Sequence, residues 1–236
     1  MAVAALVVLA GYLIGAIPVA YIAGRLKGID IRRYGSANVG ASNVYQSVAH
    51  WAVVPVGLAQ IALAMAGIGL AKLLDQDLSV QVAAGGAALA GACWSVYLRL
   101  AGGRGIGASI GFMLFLTPIT LVVFIVVSMA GVFARNVPVG VGAAIAVAPL
   151  SSLVVDGPGA IALGCLCMAI IIFTKRLLGN PGVRAEGVSR REVLLNRLLF
   201  DRDIRDRDEW VRKGSTATAA GRDPPTDSDA SARQQV

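Results

Sequence analysis

Hydrophobic positions in this chain come in long uninterrupted runs, not in the period of a half-buried helix or strand, and short polar stretches punctuate them. Residues 1–23, 51–71 and 79–98 are near-chargeless, and about seventy apolar residues separate Arg104 from the doublet Lys175-Arg176. That last stretch is broken at Pro118, at Arg135-Asn136-Val137-Pro138 and at Asp156-Gly157-Pro158-Gly159, giving segments of roughly 106–117, 119–134, 138–154 and 158–174. Runs of ~17–25 apolar residues match the ~30 Å hydrocarbon core of a bilayer, where a helix satisfies its own backbone polar groups. The pattern predicts an all-α polytopic membrane protein of about seven transmembrane helices joined by short glycine-rich loops. Two long crossings with a re-entrant stretch would also fit the final four segments, the first of which is short for a complete span.

Composition agrees: 56% of the 236 residues are hydrophobic and 15% charged. Of the net charge of +7, the portion up to Thr174 carries +4 (eight Lys/Arg, four Asp/Glu) and the remainder +3 (thirteen basic, ten acidic). The first value is a topology signal. Arg25, Lys27, Arg32 and Arg33 follow the first run, and Arg99 and Arg104 follow the third, so the positive-inside rule predicts both loops on the cytoplasmic face and an external N-terminus. Arg135 falls inside and Asp156 outside if all four final segments cross. Basic residues are not interleaved with aromatics, which argues against nucleic-acid binding. Cys93, Cys165 and Cys167 all lie in apolar runs and read as small core residues, with neither a disulfide nor a metal framework.

After Arg176 the composition changes. The transmembrane part is assigned to residues 1–175, a cytoplasmic amphipathic and charged segment to 176–213, and a disordered tail to 214–236. Asn180-Pro181-Gly182 is a stop signal, and Ser189-Arg190-Arg191-Glu192 matches a capping box opening a short helix. Leu194, Leu195, Leu198 and Leu199 share one face of it, with Arg190, Arg191 and Arg197 available to anionic lipid head groups, so the pattern fits a helix lying on the membrane surface and fits a plain solvated helix equally well.

The polar chemistry gathers in Gly28–Gln46. There Gly35-Ser36-Ala37-Asn38 and Gly40-Ala41-Ser42-Asn43 set small polar side chains beside glycines, after an Asp30/Arg32/Arg33 cluster. Backbone N–H groups and cations placed this way can converge on an anion. Gly102-Gly103-Arg104-Gly105 repeats the arrangement ahead of a helix whose dipole would favour one. Asp30, Arg32, Gly35, Gly40, Gly102, Gly103, Arg104 and Gly105 are therefore the candidate binding residues for a phosphate-bearing ligand. The lone His50 supports no catalytic triad.

Gly15-Ala-Ile-Pro18, Tyr21, Gly28-Ile-Asp-Ile-Arg32 and Gly35-Ser-Ala-Asn38-Val-Gly40-Ala-Ser-Asn43 resemble the first motif of the bacterial acyl-phosphate:glycerol-3-phosphate acyltransferases, the PlsY family. Gly91, Trp94 and Gly102-Gly-Arg-Gly-Ile-Gly-Ala-Ser-Ile-Gly111 resemble the second. The resemblance implies a seven-span protein of the bacterial inner membrane with an external N-terminus and a cytoplasmic C-terminus. It implies transfer of an acyl group from acyl phosphate to the 1-hydroxyl of glycerol 3-phosphate, giving lysophosphatidic acid for phospholipid biosynthesis without metal, cofactor or acyl-CoA. Its partners are those two small molecules and membrane lipid. Ser36 is then the essential catalytic residue, with Asn38 and Asn43 beside it, and the second motif binds glycerol phosphate.

Several positions depart from the family pattern. Gln46 replaces an arginine, Arg104 a lysine, Gly107-Ala108 an alanine-threonine pair, and Ala92 a histidine, while Ile170 and Phe173 stand where the third motif has His and Asn. Two alternatives follow: a divergent enzyme with a rebuilt site, or a relative that keeps the fold and binds a phosphorylated lipid precursor or a partner membrane protein. Arg135 is a candidate replacement for the missing third-motif groups.

Overall fold

The structure, a computed structural model, describes residues 1–155, 157–179, 189–204 and 206. The described residues form helices and connecting turns: α1 (Ala2–Gly15), α2 (Val19–Leu26), α3 (Ala41–Ser47), α4 (Val53–Leu73), α5 (Leu78–Cys93), α6 (Ile106–Leu116), α7 (Pro118–Phe133), α8 (Val137–Val155), α9 (Gly159–Leu178) and α10 (Arg190–Phe200). Asp156, the predicted stop at 180–182 and the tail from 207 lie outside the described residues.

Among the described residues, five stretches are long and apolar enough to cross a bilayer: Ala2–Leu26, His50–Leu73, Leu78–Leu98, Val137–Val155 and Gly159–Leu178. Ile106–Leu116 and Pro118–Phe133 are shorter apolar helices. At ~1.5 Å per residue, the 11 residues of α6 reach about 16 Å. At that length α6 is short for a complete span, and Thr117 and Thr120 at the α6–α7 turn are fully buried.

The first apolar run is not one continuous helix. Pro18 lacks the N–H that would extend α1, so the chain breaks after Gly15 and resumes at Val19. The break is stitched to the end of the neighbouring helix α5: Ser95 Oγ donates to the Ala16 carbonyl at 2.6 Å, and Tyr12 Oη to the Trp94 carbonyl at 2.7 Å. Helix association in an apolar solvent relies on close packing of small residues, and α1 supplies it. Gly11 and Gly15 lie against the backbone of Ala84 and Ala88 in α5, and a Cβ on Gly15 would overlap Ala88. Gly131 of α7 meets Gly140 of α8 in the same way.

The largest apolar core joins α4, α5, α6, α7, α8 and α9 around Ile68, Leu89, Phe112, Met113, Phe124, Ile145 and Met168. Cys93 and Cys165 are buried there, whereas Cys167 is exposed on α9, against the expectation that all three are core residues. A second core of Ile31, Val39, Val44, Val48 and Leu98 lies under the polar loops and holds them to the end of the bundle.

Candidate active site

The stretch Gly28–Gln46 folds as a tight loop around one buried amide. Asn43 is fully buried at the start of α3. Its Nδ2 donates to the carbonyls of Ile31 (3.1 Å), Tyr34 (3.0 Å) and Asn38 (3.0 Å), while Oδ1 accepts from the Ser36 N–H (3.2 Å) and Ser47 Oγ (3.1 Å). A short polar side chain that serves five partners at once pins the whole segment. Gly35, at φ 54°, backs directly onto Asn43, where a Cβ would collide.

Ahead of this knot Asp30 caps a single turn of 3-10 helix, Ile31–Arg33. Its carboxylate accepts from the Arg32 N–H (3.1 Å), Nε (2.9 Å) and Nη2 (2.6 Å). The Arg32 side chain holds the Asp30 carboxyl below its ordinary pKa of 3.8, and Asp30 raises that of Arg32. The Arg32 guanidinium also lies 5.1 Å from the centre of the Tyr21 ring.

The second loop is seated by its glycines. The Gly103 N–H donates to the Ala92 carbonyl at 2.9 Å, and a Cβ on Gly103 would stand 2.8 Å from the Val39 carbonyl oxygen, so only glycine lets the two loops touch. Gly105, at φ 75°, starts α6. Arg99 and Leu100 are successive residues at φ 55° and 65°, a costly conformation for side chains other than glycine.

Where these loops meet the end of α9 there is a cleft of about 460 Å³, lined by Asp30, Arg32, Arg33, Ala37, Val39, Arg99, Leu100, Ala101, Gly102, Lys175 and Gly179. Four cations face one carboxylate. A second cavity of about 20 Å³, room for about one water, shares Val39 and Gly102 with the cleft and reaches Gln60, Ser95 and Ala108.

Of the candidate binding residues, Asp30, Arg32 and Gly102 line the cleft; Gly35, Gly40, Gly103, Arg104 and Gly105 do not. Ser36 and Asn38 bracket the lining residue Ala37, and Asn38 is buried with an Oδ1 that has no hydrogen-bond partner among the described residues. The Arg104 side chain, 9% exposed, pairs through Nε with Asp201 at 2.8 Å and donates from Nη1 to the Lys175 carbonyl at 2.8 Å. Arg135 is exposed in the α7–α8 turn and is absent from the lining, so it fills no gap in the cleft. Sequence reasoning missed Arg99 and Lys175, whereas Arg33 belonged to the Asp30/Arg32/Arg33 cluster already read as able to converge on an anion. The signal was present, because Arg99 and Lys175 stand in the basic clusters that mark one face of the membrane, but these two were read for topology alone.

Residues 5–178 match the family described as glycerol-3-phosphate acyltransferase. The chain belongs to this family. Among its members, the glycerol-3-phosphate acyltransferase 5 of Dehalococcoides mccartyi is 37% identical over 215 residues, covering 88% of this chain and 92% of that protein. The glycerol-3-phosphate acyltransferase of Symbiobacterium thermophilum is 34% identical over 170 residues, covering 72% and 85%. The fold matches the crystal structure of PlsY (YgiH), an integral membrane glycerol 3-phosphate acyltransferase, in its glycerol 3-phosphate form. The TM-score is 0.68 at 24% identity, covering 73% of this chain and 88% of that one. The expected multi-pass membrane acyltransferase fold is thereby established.

The segment after α9 departs from expectation. Ser189 does cap α10, accepting from the Glu192 N–H at 3.3 Å, and Leu194, Leu195 and Leu199 are exposed. Arg197, however, is not available to lipid. Its Nη1 donates to the Leu177 and Leu178 carbonyls at 2.9 and 3.2 Å, and its Nε and Nη2 grip Asp203 at 2.6 and 3.0 Å. Asp203 and Ile204 are buried, so residues 201–204 are packed against the protein and do not form a solvated charge run.

Proposed function

We propose that the protein transfers a fatty acyl group from acyl phosphate to the 1-hydroxyl of glycerol 3-phosphate, releasing lysophosphatidic acid and inorganic phosphate. The observation that carries this reading is the cleft itself: Arg32, Arg33, Arg99 and Lys175 against Asp30, at the junction of both glycine-rich loops. Two anionic substrates repel unless the protein neutralises them, and fixed cations at a partly dehydrated site do so at little reorganisation cost. The kinship with enzymes named for this acyl acceptor supports the same reading.

In this account the phosphate of the acceptor lies against Arg33, Arg99 and Lys175, while Asp30 holds Arg32 toward the cleft. The small cavity behind Val39 and Gly102 takes the acyl carbonyl. The acceptor hydroxyl adds to the carbonyl carbon, the bond to the phosphate oxygen breaks with its electron pair, and the hydroxyl proton ends on the departing phosphate. Phosphate is a good leaving group, so the protein's task is orientation. Ser36 and the Asn38 Oδ1, which has no hydrogen-bond partner among the described residues, are assigned to the acceptor hydroxyl. Asn43, Gly35 and Gly40 shape the first loop, and Gly103 and Gly105 seat the second.

The cleft end bears Arg25, Lys27, Arg33 and Arg99, whereas the α4–α5 turn has Asp75 and Asp77 near Lys72. By the positive-inside rule the cleft then faces the cytoplasm, in the bacterial inner membrane, with the N-terminus outside. The test is the purified protein in lipid bilayers, given palmitoyl phosphate and labelled glycerol 3-phosphate. Lysophosphatidate should form and Ser36→Ala should abolish it; a folded wild-type protein that yields none would refute the assignment.

A further inference from the structure

The described residues of the C-terminal segment, 189–204, lie beyond the 5–178 family match, yet they are joined to the cleft by a chain of directed contacts. Arg176 Nη1 donates to the Leu198 carbonyl at 3.0 Å and Nη2 to the Pro138 carbonyl at 3.2 Å, tying α10 to α9 and to the start of α8. Arg197 closes the last turn of α9 from the other side. Gly179, at φ 64°, turns so tightly against Arg197 that a Cβ there would lie 2.5 Å from the guanidinium carbon. Helix α10 ends at Asp201, whose φ of 57° turns the chain toward Arg104.

We infer that Asp201 is a positioning residue for the cleft: through Arg104 it fixes the backbone of Lys175, so that the C-terminal segment sets the affinity for a phosphate-bearing acceptor. Asp201 holds Arg104 at Nε, and the same guanidinium holds the Lys175 carbonyl at Nη1. A planar fork with several fixed N–H directions serves both partners at once, which a single ammonium on a flexible stem does not do in one geometry. Lys175 is itself 6% exposed, with its ammonium 5.4 Å from the centre of the Trp94 ring, so its place on the cleft wall depends on where α9 ends. The Asp201 carboxylate also attracts Arg176, which Arg104 repels. The D. mccartyi relative aligns over 88% of the 236 residues, about 208, so that match must run through α10 and Asp201 even if it starts at residue 1.

This inference rests on the acceptor assignment above, and its test separates the two. Binding of labelled glycerol 3-phosphate to the full-length protein in detergent micelles is measured by equilibrium dialysis, alongside turnover in vesicles. Asp201→Asn should weaken binding and raise KM about tenfold, with kcat within about threefold, a gap of tenfold corresponding to 1.4 kcal/mol. Asp201→Glu should recover most of the loss. If Asp201→Asn does not fold, Arg104→Lys should show the same split, because it keeps the charge and loses the double grip. Unchanged binding in a folded Asp201→Asn overturns the inference, and so does tighter binding, which would make Asp201 a competitor of the phosphate. A wild type that binds glycerol 3-phosphate without turning it over refutes the acyltransferase assignment and leaves the binding comparison intact.

Discussion

Replacing Asn43 separates a structural from a chemical role for the first loop. The side chain is fully buried and serves three carbonyls, one backbone N–H and one hydroxyl at 3.0–3.2 Å. A net hydrogen bond contributes about 1 kcal/mol, and a buried group left without a partner costs about 1–3 kcal/mol. Two N–H groups shared among three carbonyls give at most two full-strength bonds, and some orphaned groups will find water once the loop opens. Asn43→Ala should then destabilise the protein by about 3–4 kcal/mol. Asn43→Asp keeps the shape and one acceptor but turns an oxygen toward the carbonyls of Ile31, Tyr34 and Asn38, and should cost at least as much. The assay is denaturant unfolding in micelles followed by tryptophan fluorescence. Trp94 is a local reporter, since its carbonyl is held by Tyr12 and its ring lies under Lys175. An Asn43→Asp protein of wild-type stability but without turnover would refute the reasoning and place the amide on the substrate.

Two further outcomes follow from the same geometry. The Asp30–Arg32 pair has side chains 14% and 36% exposed, so its worth is limited by solvent to about 1 kcal/mol at most. Because Asp30 has a lowered folded-state pKa, that stability is present above the unfolded value of 3.8 and disappears as pH falls through the lowered one. The unfolding free energies of wild type and Asp30→Asn should differ by a constant amount above about pH 5 and converge in acid; a gap that persists in acid argues against the pair. Gly15→Val should cost about 1–3 kcal/mol by overpacking, since its side chain would enter the Ala88 backbone of α5. The measurement is the same denaturant titration, and a Gly15→Val protein as stable as the wild type would mean α1 and α5 do not depend on that contact.

Helix placement was legible because apolar runs and their breakers carry it. The expected segments 106–117, 119–134, 138–154 and 158–174 correspond to Ile106–Leu116, Pro118–Phe133, Val137–Val155 and Gly159–Leu178. Pro118, Pro138 and Pro158 each stand within two residues of a helix start, where a missing N–H is harmless. The break between Gly15 and Val19 was less visible: both flanks are apolar, and only the partners at Ser95 and Trp94 show how it is held. Lys175 was open to misreading, because a basic doublet at a helix end is at once a topology marker and a potential ligand. Asp201 lies 97 residues from Arg104, and no local pattern encodes such a pair.

The departures from the family pattern take on a different weight in three dimensions. Gln46 is exposed on α3 and does not line the cleft. Ile170 is 57% exposed on α9, and Phe173 packs into the apolar core with Arg176 5.8 Å from its ring centre. Neither residue lines the cleft. Its cations come from Arg32, Arg33, Arg99 and Lys175 instead.

Lys175 offers the sharpest check that this cleft binds the acceptor's phosphate for acyl transfer. Initial rates of lysophosphatidate formation are measured against glycerol 3-phosphate concentration for the wild type and Lys175→Met in the same vesicles. A charge-assisted contact of about 1.5–3 kcal/mol predicts a KM raised about tenfold to a hundredfold, with kcat changed by no more than a few-fold. An unchanged KM in a folded Lys175→Met enzyme would contradict the account.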